Sequence, residues 1–388
     1  ATSGKVGVGA LIALTGQSNA YLWFRSRSTA LTPNSLVRAF GIFGTWSVPD
    51  TGAMAGAIAF GNALATALSI PIGVLDYAAD SSYLHNYSSN SWLPITNAPY
   101  VAFKAGALTG LDGKLEAIVW VQGESDVIQN ATQAQYYADL GTLFTAFRTD
   151  SGQSALPVVM VTLGRWLNDV RVTNTNIQDV RLAQVQKCAD ADVYRVDRMD
   201  LPLSGDDLHL SGPGFETLGT RCAQVVSYLA GVATYYQGPR ISSVTQVSTS
   251  VYDVNLTHNS SATDFTPTSG ITGFRVLDSG TPATISSAVR QTASSVRLTL
   301  SAPAGTLPTV QYLYGYGPDI TGVLVDNAAL TLPLEFNGGV TALVHITADA
   351  SIAQAGNTST AASAIIIAAD CSITQGGNTL TSTASLVA

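Results

Sequence analysis

The sequence predicts an α/β domain built on a parallel sheet and followed by an antiparallel β-sandwich, and three observations carry that reading. Residues 1–235 alternate short, almost wholly apolar stretches with helical patterns. At "YQGPRI" (236–241) the texture changes, and residues 240–337 read as short alternating strands parted by Asn, Ser, Gly, Pro and Asp. Strand and helix in alternation mean βαβ units, with helices covering both faces of a parallel sheet and three layers in all. Short strands at regular intervals mean a sandwich of about one hundred residues.

The strand candidates of the first part are 6–14, 35–40, 70–77, 116–121, 156–164 and 193–197. Each is an apolar run of the kind buried on both faces. Helical patterns fall between them at 54–68, 131–148, 175–190 and 211–230. The sandwich strands include "SVYDVNL", "GFRVLD", "SVRLTLS" and "TVQYLYGYG". The expected division is therefore 1–235, 236–340 and a tail at 341–388. That tail carries an internal repeat, "ADASIAQAGNTSTAASAI" from Ala348 answered by "ADCSITQGGNTLTSTASL" from Ala369, a period of 21 residues. Two copies bury no core alone, so a β-rich appendage resting on a neighbour is expected, which points to homo-oligomers or assembly partners.

Composition narrows the function classes. Hydrophobic residues at 46% suit a large core, and a net charge of −8 offers no basic stripe for nucleic acid. Charged residues are 11%, against about a quarter in typical chains. A weakly charged, Ser/Thr-rich surface leans towards an extracellular or particle-borne protein. No apolar run reaches membrane-spanning length. Cys188, Cys222 and Cys371 are too few for a disulfide framework, although one bridge between Cys188 and Cys222 stays open. No cluster of ligand residues implies a metal, and no cofactor is expected.

Three polar segments interrupt this pattern where chemistry is expected, beyond the carboxyl ends of strands. "LIALTGQSNAY" (11–21) places Ser18 after the first strand. A serine nucleophile needs a base, a group that orients the base, and donors for the oxyanion. The chain has 4 histidines, His85, His209, His258 and His345. Of these, His209 lies in "GDDLHLSGPGF", three residues after Asp206 and just before a helix with Ser211 as N-cap and Pro213 in its first turn. One tight turn brings such a carboxylate to the ring; the plain alternative is a polar turn capping a helix. "WVQGESD" (120–126) offers the Gln122 side-chain N–H to an oxyanion, Gly123 for close backbone approach, and Glu124 as support. Asp126 reads as a solvated charge. "DTGAMAGAIAFGNAL" (50–64) opens a helix whose free N–H groups favour an anion, with Gly56 as donor and Gly52 as the alternative. Small residues there also serve close helix packing.

Gly-Gln-Ser-Asn, Trp-x-Gln-Gly-Glu-x-Asp and Asp-x-x-His-Leu, in this order, resemble an SGNH (GDSL-type) hydrolase. The similar branch is that of sialate O-acetylesterases and related carbohydrate acetylesterases, over roughly 6–232. The resemblance implies a flavodoxin-like α/β/α domain and a two-step ester hydrolysis. It places the nucleophile on Ser18, the base on His209 and the orienting acid on Asp206. It places the oxyanion donors on the Ser18 N–H, Gly56 and Gln122, where the wider family has Asn, with Asn19, Gly123 and Glu124 in support. The substrate it implies is an O-acetylated glycan, and Tyr21, Trp23, Trp46, Tyr83, Tyr87, Trp92 and Trp166 are aromatics that either stack on sugar or belong to the scaffold. Through "YLYGYGPDITGVLVDNAALTLPLEF" (312–336), the β-rich region resembles sandwiches that follow such domains, including those of phage tails. A virion-associated enzyme acting on bacterial surface polysaccharide is therefore expected, with virion or tail proteins as partners of the C-terminal β regions. The competing readings are a secreted esterase, a non-catalytic receptor-binding protein with an esterase fold, and a short-chain lipid esterase.

Overall fold

The computed structural model describes residues 9–27, 31–40, 45–110 and 114–344, and the backbone of 371–375 and 378–382. Seven strands form the first sheet: β1 (Ala10–Gly16), β2 (Val37–Phe40), β3 (Trp46–Ser47), β4 (Ile72–Asp76), β5 (Ala117–Val121), β6 (Val158–Val161) and β7 (Val193–Val196). Their order is β3-β2-β4-β1-β5-β6-β7, parallel throughout except for β3, which pairs antiparallel to β2. With the β2–β3 edge set aside, the order is that of a 2-1-3-4-5 doubly wound sheet. Its topological switch lies beside β1, so the crevice forms at the carboxyl end of that strand.

Both faces of the sheet are covered. On one face Ile12 and Leu14 pack with Phe60 and Leu64 of α2 (Ala55–Leu68) and with Phe215 and Leu218 of α7 (Gly212–Leu229). On the other, Ala13, Ile118 and Trp120 meet Phe144 and Phe147 of α5 (Gln133–Ser151) and Val180 of α6 (Asn174–Lys187). This two-sided burial explains why the strands carry no polar alternation. The helix starts are chemically marked. Thr132 Oγ1 accepts from Gln135 N at 3.2 Å, Thr173 and Asn176 form a capping box, and Ser211 accepts from Gly214 N at 3.3 Å. The segments α1 (Ser18–Tyr21), α3 (Ala98–Phe103) and α4 (Glu124–Val127), and the edge strand β3, are too short for a periodic signal in the sequence. The part of the first expected strand at 6–8 lies outside the described residues.

From Arg240 to Thr341 the strands pair antiparallel. A five-stranded sheet joins Ile285–Thr292, Ser295–Leu300, Val251–Thr257, Arg240–Ser248 and Leu343–Val344. A four-stranded sheet joins Thr281–Ala283, Phe274–Asp278, Thr309–Tyr312 and Asn337–Thr341. Their shared core of Val244, Tyr252, Val254, Val276, Val296, Leu298, Val310 and Tyr312 also takes in Met199, with Leu182 and Val185 of α6 packed against it. Internal contacts divide the chain into Ala1–Leu343 and Val344–Ala388. In the second unit Cys371–Gln375 pairs antiparallel with Asn378–Ser382. The rest of the expected 21-residue repeat, and His345, lie outside the described residues. Cys188 and Cys222 are free thiols, both pushed up by burial.

Candidate functional site

Ser18 follows β1 directly. Gln17 leaves the strand with φ −114 and ψ −147, and Ser18 begins α1 as the first helical residue. Its N–H therefore has no intrahelical acceptor. Ser18 is itself buried, 8% exposed. Beside it, the chain after β4 is strapped to the end of β1: Tyr77 N donates to Leu14 O at 3.1 Å and Ala79 N to Gly16 O at 3.0 Å.

The segment before α7 folds back on itself. Asp206 Oδ2 lies 2.6 Å from His209 Nδ1, while Oδ1 accepts from Ser204 Oγ at 2.6 Å and from the N–H groups of His209 and Leu208 at 2.9 and 3.1 Å. Partial burial works against the Asp206 carboxylate, but these hydrogen bonds hold it well below the usual carboxylate range. An ionised carboxylate at Nδ1 keeps the ring proton there and leaves the Nε2 lone pair free. His209 Nε2 is buried and makes no hydrogen bond.

One side chain ties the two segments together. Asn19 Oδ1 accepts from Leu210 N at 3.1 Å, and Asn19 Nδ2 donates to Glu124 Oε1 at 2.7 Å. The neighbour of Ser18 thus holds the neighbour of His209, across 191 residues of sequence. Glu124 pairs in turn with the Arg198 guanidinium, both groups being almost fully buried. Burial opposes the charge on Glu124, and Arg198 and Asn19 outweigh it and hold its carboxyl low.

Gln122 stands differently from the expectation, and Gly56 carries a packing role as well. Gln122 is 1% exposed, and its two Nε2 protons face three acceptors: Asp126 Oδ2 at 2.5 Å, Gln17 Oε1 at 3.1 Å and Ser82 O at 3.3 Å. Its Oε1 accepts from Tyr136 Oη at 2.6 Å. No proton is left to offer an oxyanion. Gly56 is required by packing: a Cβ there would lie 2.2 Å from Trp23 Cδ1, and a Cβ on Gly219 of α7 would lie 2.6 Å from Gly56 O. The alternative, Gly52, already donates its N–H to Asp50 Oδ1 at 2.8 Å. Gly123, with φ +148, takes a backbone conformation that side chains rarely adopt, and its N–H donates to Gln17 Oε1 at 3.1 Å.

Asp126 is not a solvated charge. It is fully buried and accepts from Leu84 N at 2.8 Å and His85 N at 3.1 Å, pinning the loop that follows β4. Burial pushes its carboxyl up to about 6, with the Leu84, Gln122 and His85 hydrogen bonds acting the other way. Sequence reasoning also missed Gln17, which caps three donors of the "WVQGESD" turn, and Arg198, which neutralises Glu124. Gln17 stood inside the quoted motif; Arg198 carried no local signal.

The other histidines are placed elsewhere. His85 Nδ1 pairs with Asp139 Oδ2 at 2.8 Å on α5, and His258 Nε2 with Ala293 O at 2.8 Å. Of the aromatics, Trp23, Trp92 and Trp166 are core residues, and Trp92 Nε1 donates to Ser82 Oγ at 2.9 Å. Tyr21, Tyr83 and Tyr87 are half-buried, the last two edge-to-face at 5.6 Å, and Trp46 is 42% exposed on the sheet edge.

The chain is similar to several known proteins. Residues 42–228 match the family model described as carbohydrate esterase, sialic acid-specific acetylesterase. A probable carbohydrate esterase of Arabidopsis thaliana is 25% identical over 226 residues, 53% of this chain and 80% of its own length. A carbohydrate acetylesterase from Xanthomonas citri has a similar fold, with TM-score 0.64 and 18% identity over 84% of this chain and 80% of that one. A structure from Arabidopsis thaliana matches with TM-score 0.46 and 23% identity, over 58% of this chain and 99% of that one.

Proposed function

We propose that this chain is a carbohydrate O-acetylesterase of the SGNH type, and that Ser18, His209 and Asp206 carry its reaction. The observation that supports this most is the hydrogen bond from Leu210 N to Asn19 Oδ1 at 3.1 Å, which ties the residue after the nucleophile to the residue after the base. His209 Nε2 takes the Ser18 Oγ proton as Oγ attacks the acetyl carbonyl. The carbonyl π pair moves to oxygen, and the Ser18 N–H faces the resulting oxyanion. Collapse expels the sugar alkoxide, which leaves with the proton from His209, and acetyl-Ser18 remains. Water, deprotonated by the same Nε2, then releases acetate and restores Ser18. Asp206 holds the Nδ1 proton throughout and stabilises the imidazolium.

The glycan we propose is an O-acetylated bacterial surface polysaccharide met outside the cell, by a particle-borne or secreted enzyme. The weakly charged, Ser/Thr-rich sequence supports that setting. The test compares wild type with Ser18→Ala on 4-nitrophenyl acetate and on O-acetylated polysaccharides, reading released acetate. Ser18-dependent acetate from polysaccharide is expected, with a loss of about 10³-fold or more in the variant. Release that survives the substitution would sink the assignment.

A further inference from the structure

We propose that the turn Leu313–Gly317 of the β-rich region is a bracket for the Asp206–His209 loop, and that Asn168 is the positioning residue through which it acts. The proposal rests on the reading of Ser18 and His209 as nucleophile and base.

The bracket begins at Arg181 of α6, whose side chain is fully buried. Its Nε donates to Leu163 O at 2.9 Å, Nη2 to Gly164 O at 2.8 Å and Nη1 to Gly315 O at 3.0 Å. One guanidinium thus joins the segment leaving β6 to a turn about 150 residues further along. A buried cation whose acceptors are neutral carbonyls is costly to place, and each donor lost would leave charge uncompensated. The joint therefore has little slack. Two further bonds close it: Trp166 N donates to Tyr316 O at 3.0 Å, and Tyr316 N donates to Asn174 Oδ1 at 3.2 Å at the start of α6.

From this joint the contacts run to the candidate base. Leu167 N donates to Asp207 O at 2.9 Å, and Asn168 Nδ2 donates to Asp207 Oδ2 at 2.5 Å. Asp207 is the residue next to Asp206, and both Asn168 and Asp207 hold the left-handed conformation with φ +60. Arg165 adds two bonds to the segment that leads into the loop, Nε to Met199 O at 2.9 Å and Nη2 to Leu201 O at 3.0 Å. The loop is thus gripped on one side by Asn19, through Leu210, and on the other by Leu167 and Asn168, through Asp207. The second grip is anchored in the β-rich region. Removing it leaves Asp206 and His209 paired with each other but free to shift together relative to Ser18. A shift of about 1 Å at a reacting pair can cost on the order of 10²-fold in rate.

The test uses the full chain with three substitutions. Asn168→Gly deletes the amide while keeping a residue at ease at φ +60. Gly315→Ala disturbs the turn, since φ there is +92 and a Cβ would lie 2.4 Å from Asn174 Oδ1. Thr321→Ala, which removes an exposed bond to Asp319 in the same region, is the control. Each protein is assayed for kcat and KM on 4-nitrophenyl acetate, for the rate of Ser18 modification by phenylmethylsulfonyl fluoride, and for thermal unfolding. Asn168→Gly and Gly315→Ala should lower kcat and the modification rate together by about 5–50-fold, with KM within about twofold and cooperative unfolding retained. Thr321→Ala should match wild type. Wild-type kcat and modification rate in Asn168→Gly overturn the bracket, whether or not Gly315→Ala folds, as does a loss confined to KM. Modification of the wild type at a residue other than Ser18 overturns the nucleophile reading and the bracket with it, an outcome distinct from failure of the bracket alone.

Discussion

At Asn19 one amide meets two demands, accepting from Leu210 N and donating to Glu124, so Ser18 and the His209 loop share a single fixed reference. The neighbouring glutamine works in the same manner: Gln17 Oε1 takes the N–H groups of Gly123 and Ser125 and an amide proton of Gln122. The contrast between Gln122 and His209 Nε2 is one of satisfaction. The Gln122 amide protons are committed inside the fold, whereas the imidazole nitrogen is buried and unbonded. A polar atom left in that state is costly unless it has work to do. Replacing Gln122 with Ala should lower stability by about 1–3 kcal/mol, because Asp126 and Tyr136 lose a buried partner. At a temperature where the variant stays folded, kcat on 4-nitrophenyl acetate should remain within about tenfold of wild type. An oxyanion donor at this position would instead cost about 10²–10³-fold, so the kinetics discriminate.

The elements that carry these residues meet closely because small residues face one another. Helices α2 and α7 meet at Gly56 and Gly219, and Trp23 packs against Gly56. Trp23 is 0% exposed and sits edge-to-face on Phe60 at 6.3 Å, so it has nowhere to move. A methyl added by Gly56→Ala forces either the ring or the helix to shift, and the cost of such overpacking is about 1–3 kcal/mol. A fall in Tm should follow on thermal unfolding, with Gly152→Ala near the end of α5 as a sterically open comparison whose cost is only its φ of +66. An unchanged Tm in Gly56→Ala would mean that Trp23 does not pack as described. The glycine-rich stretch at 50–64 could be read from sequence as either an anion site or a packing surface, and the contact with Trp23 shows that Gly56 serves packing.

At the scale of the whole molecule, the parallel sheet and the β-rich region share buried charge. Arg195 of β7 pairs with Asp197 and lies 3.3 Å from Glu335, while Asp197 Oδ2 accepts from Phe336 N at 2.9 Å. Burial pushes the Glu335 carboxyl up to about 7; Arg195 opposes the shift and the Asp197 charge adds to it. In the window from about 4.5 to 7, the folded protein retains a proton on Glu335 that the unfolded chain has released. Stability from this group therefore falls as pH rises through the window and is level above it. Glu335→Gln mimics the protonated form and should remove that slope. Tm measured for both proteins from pH 4.5 to 8 should diverge in favour of the variant as pH increases, and parallel curves would refute the assignment.

Much of this molecule follows from the sequence alone. Strands buried on both faces are unbroken apolar runs, and helix starts are marked by Thr132, Thr173 and Ser211, so the alternation of β and α is a local property of the chain. The Asp206–His209 contact is equally local, since one turn spans three residues. The direction of a side chain is not local when its partners are distant. Gln122 is turned inward by Gln17, Ser82 and Tyr136, and Asp126 is buried by the loop at Leu84. Arg181 carries no local signal in the sequence, yet it is the joint between two regions. Sequence determined which segments could meet at the carboxyl end of β1. Tertiary structure decided which of their polar atoms are spent on one another and which remain free, because hydrogen-bond capacity is settled only when every buried partner is in place.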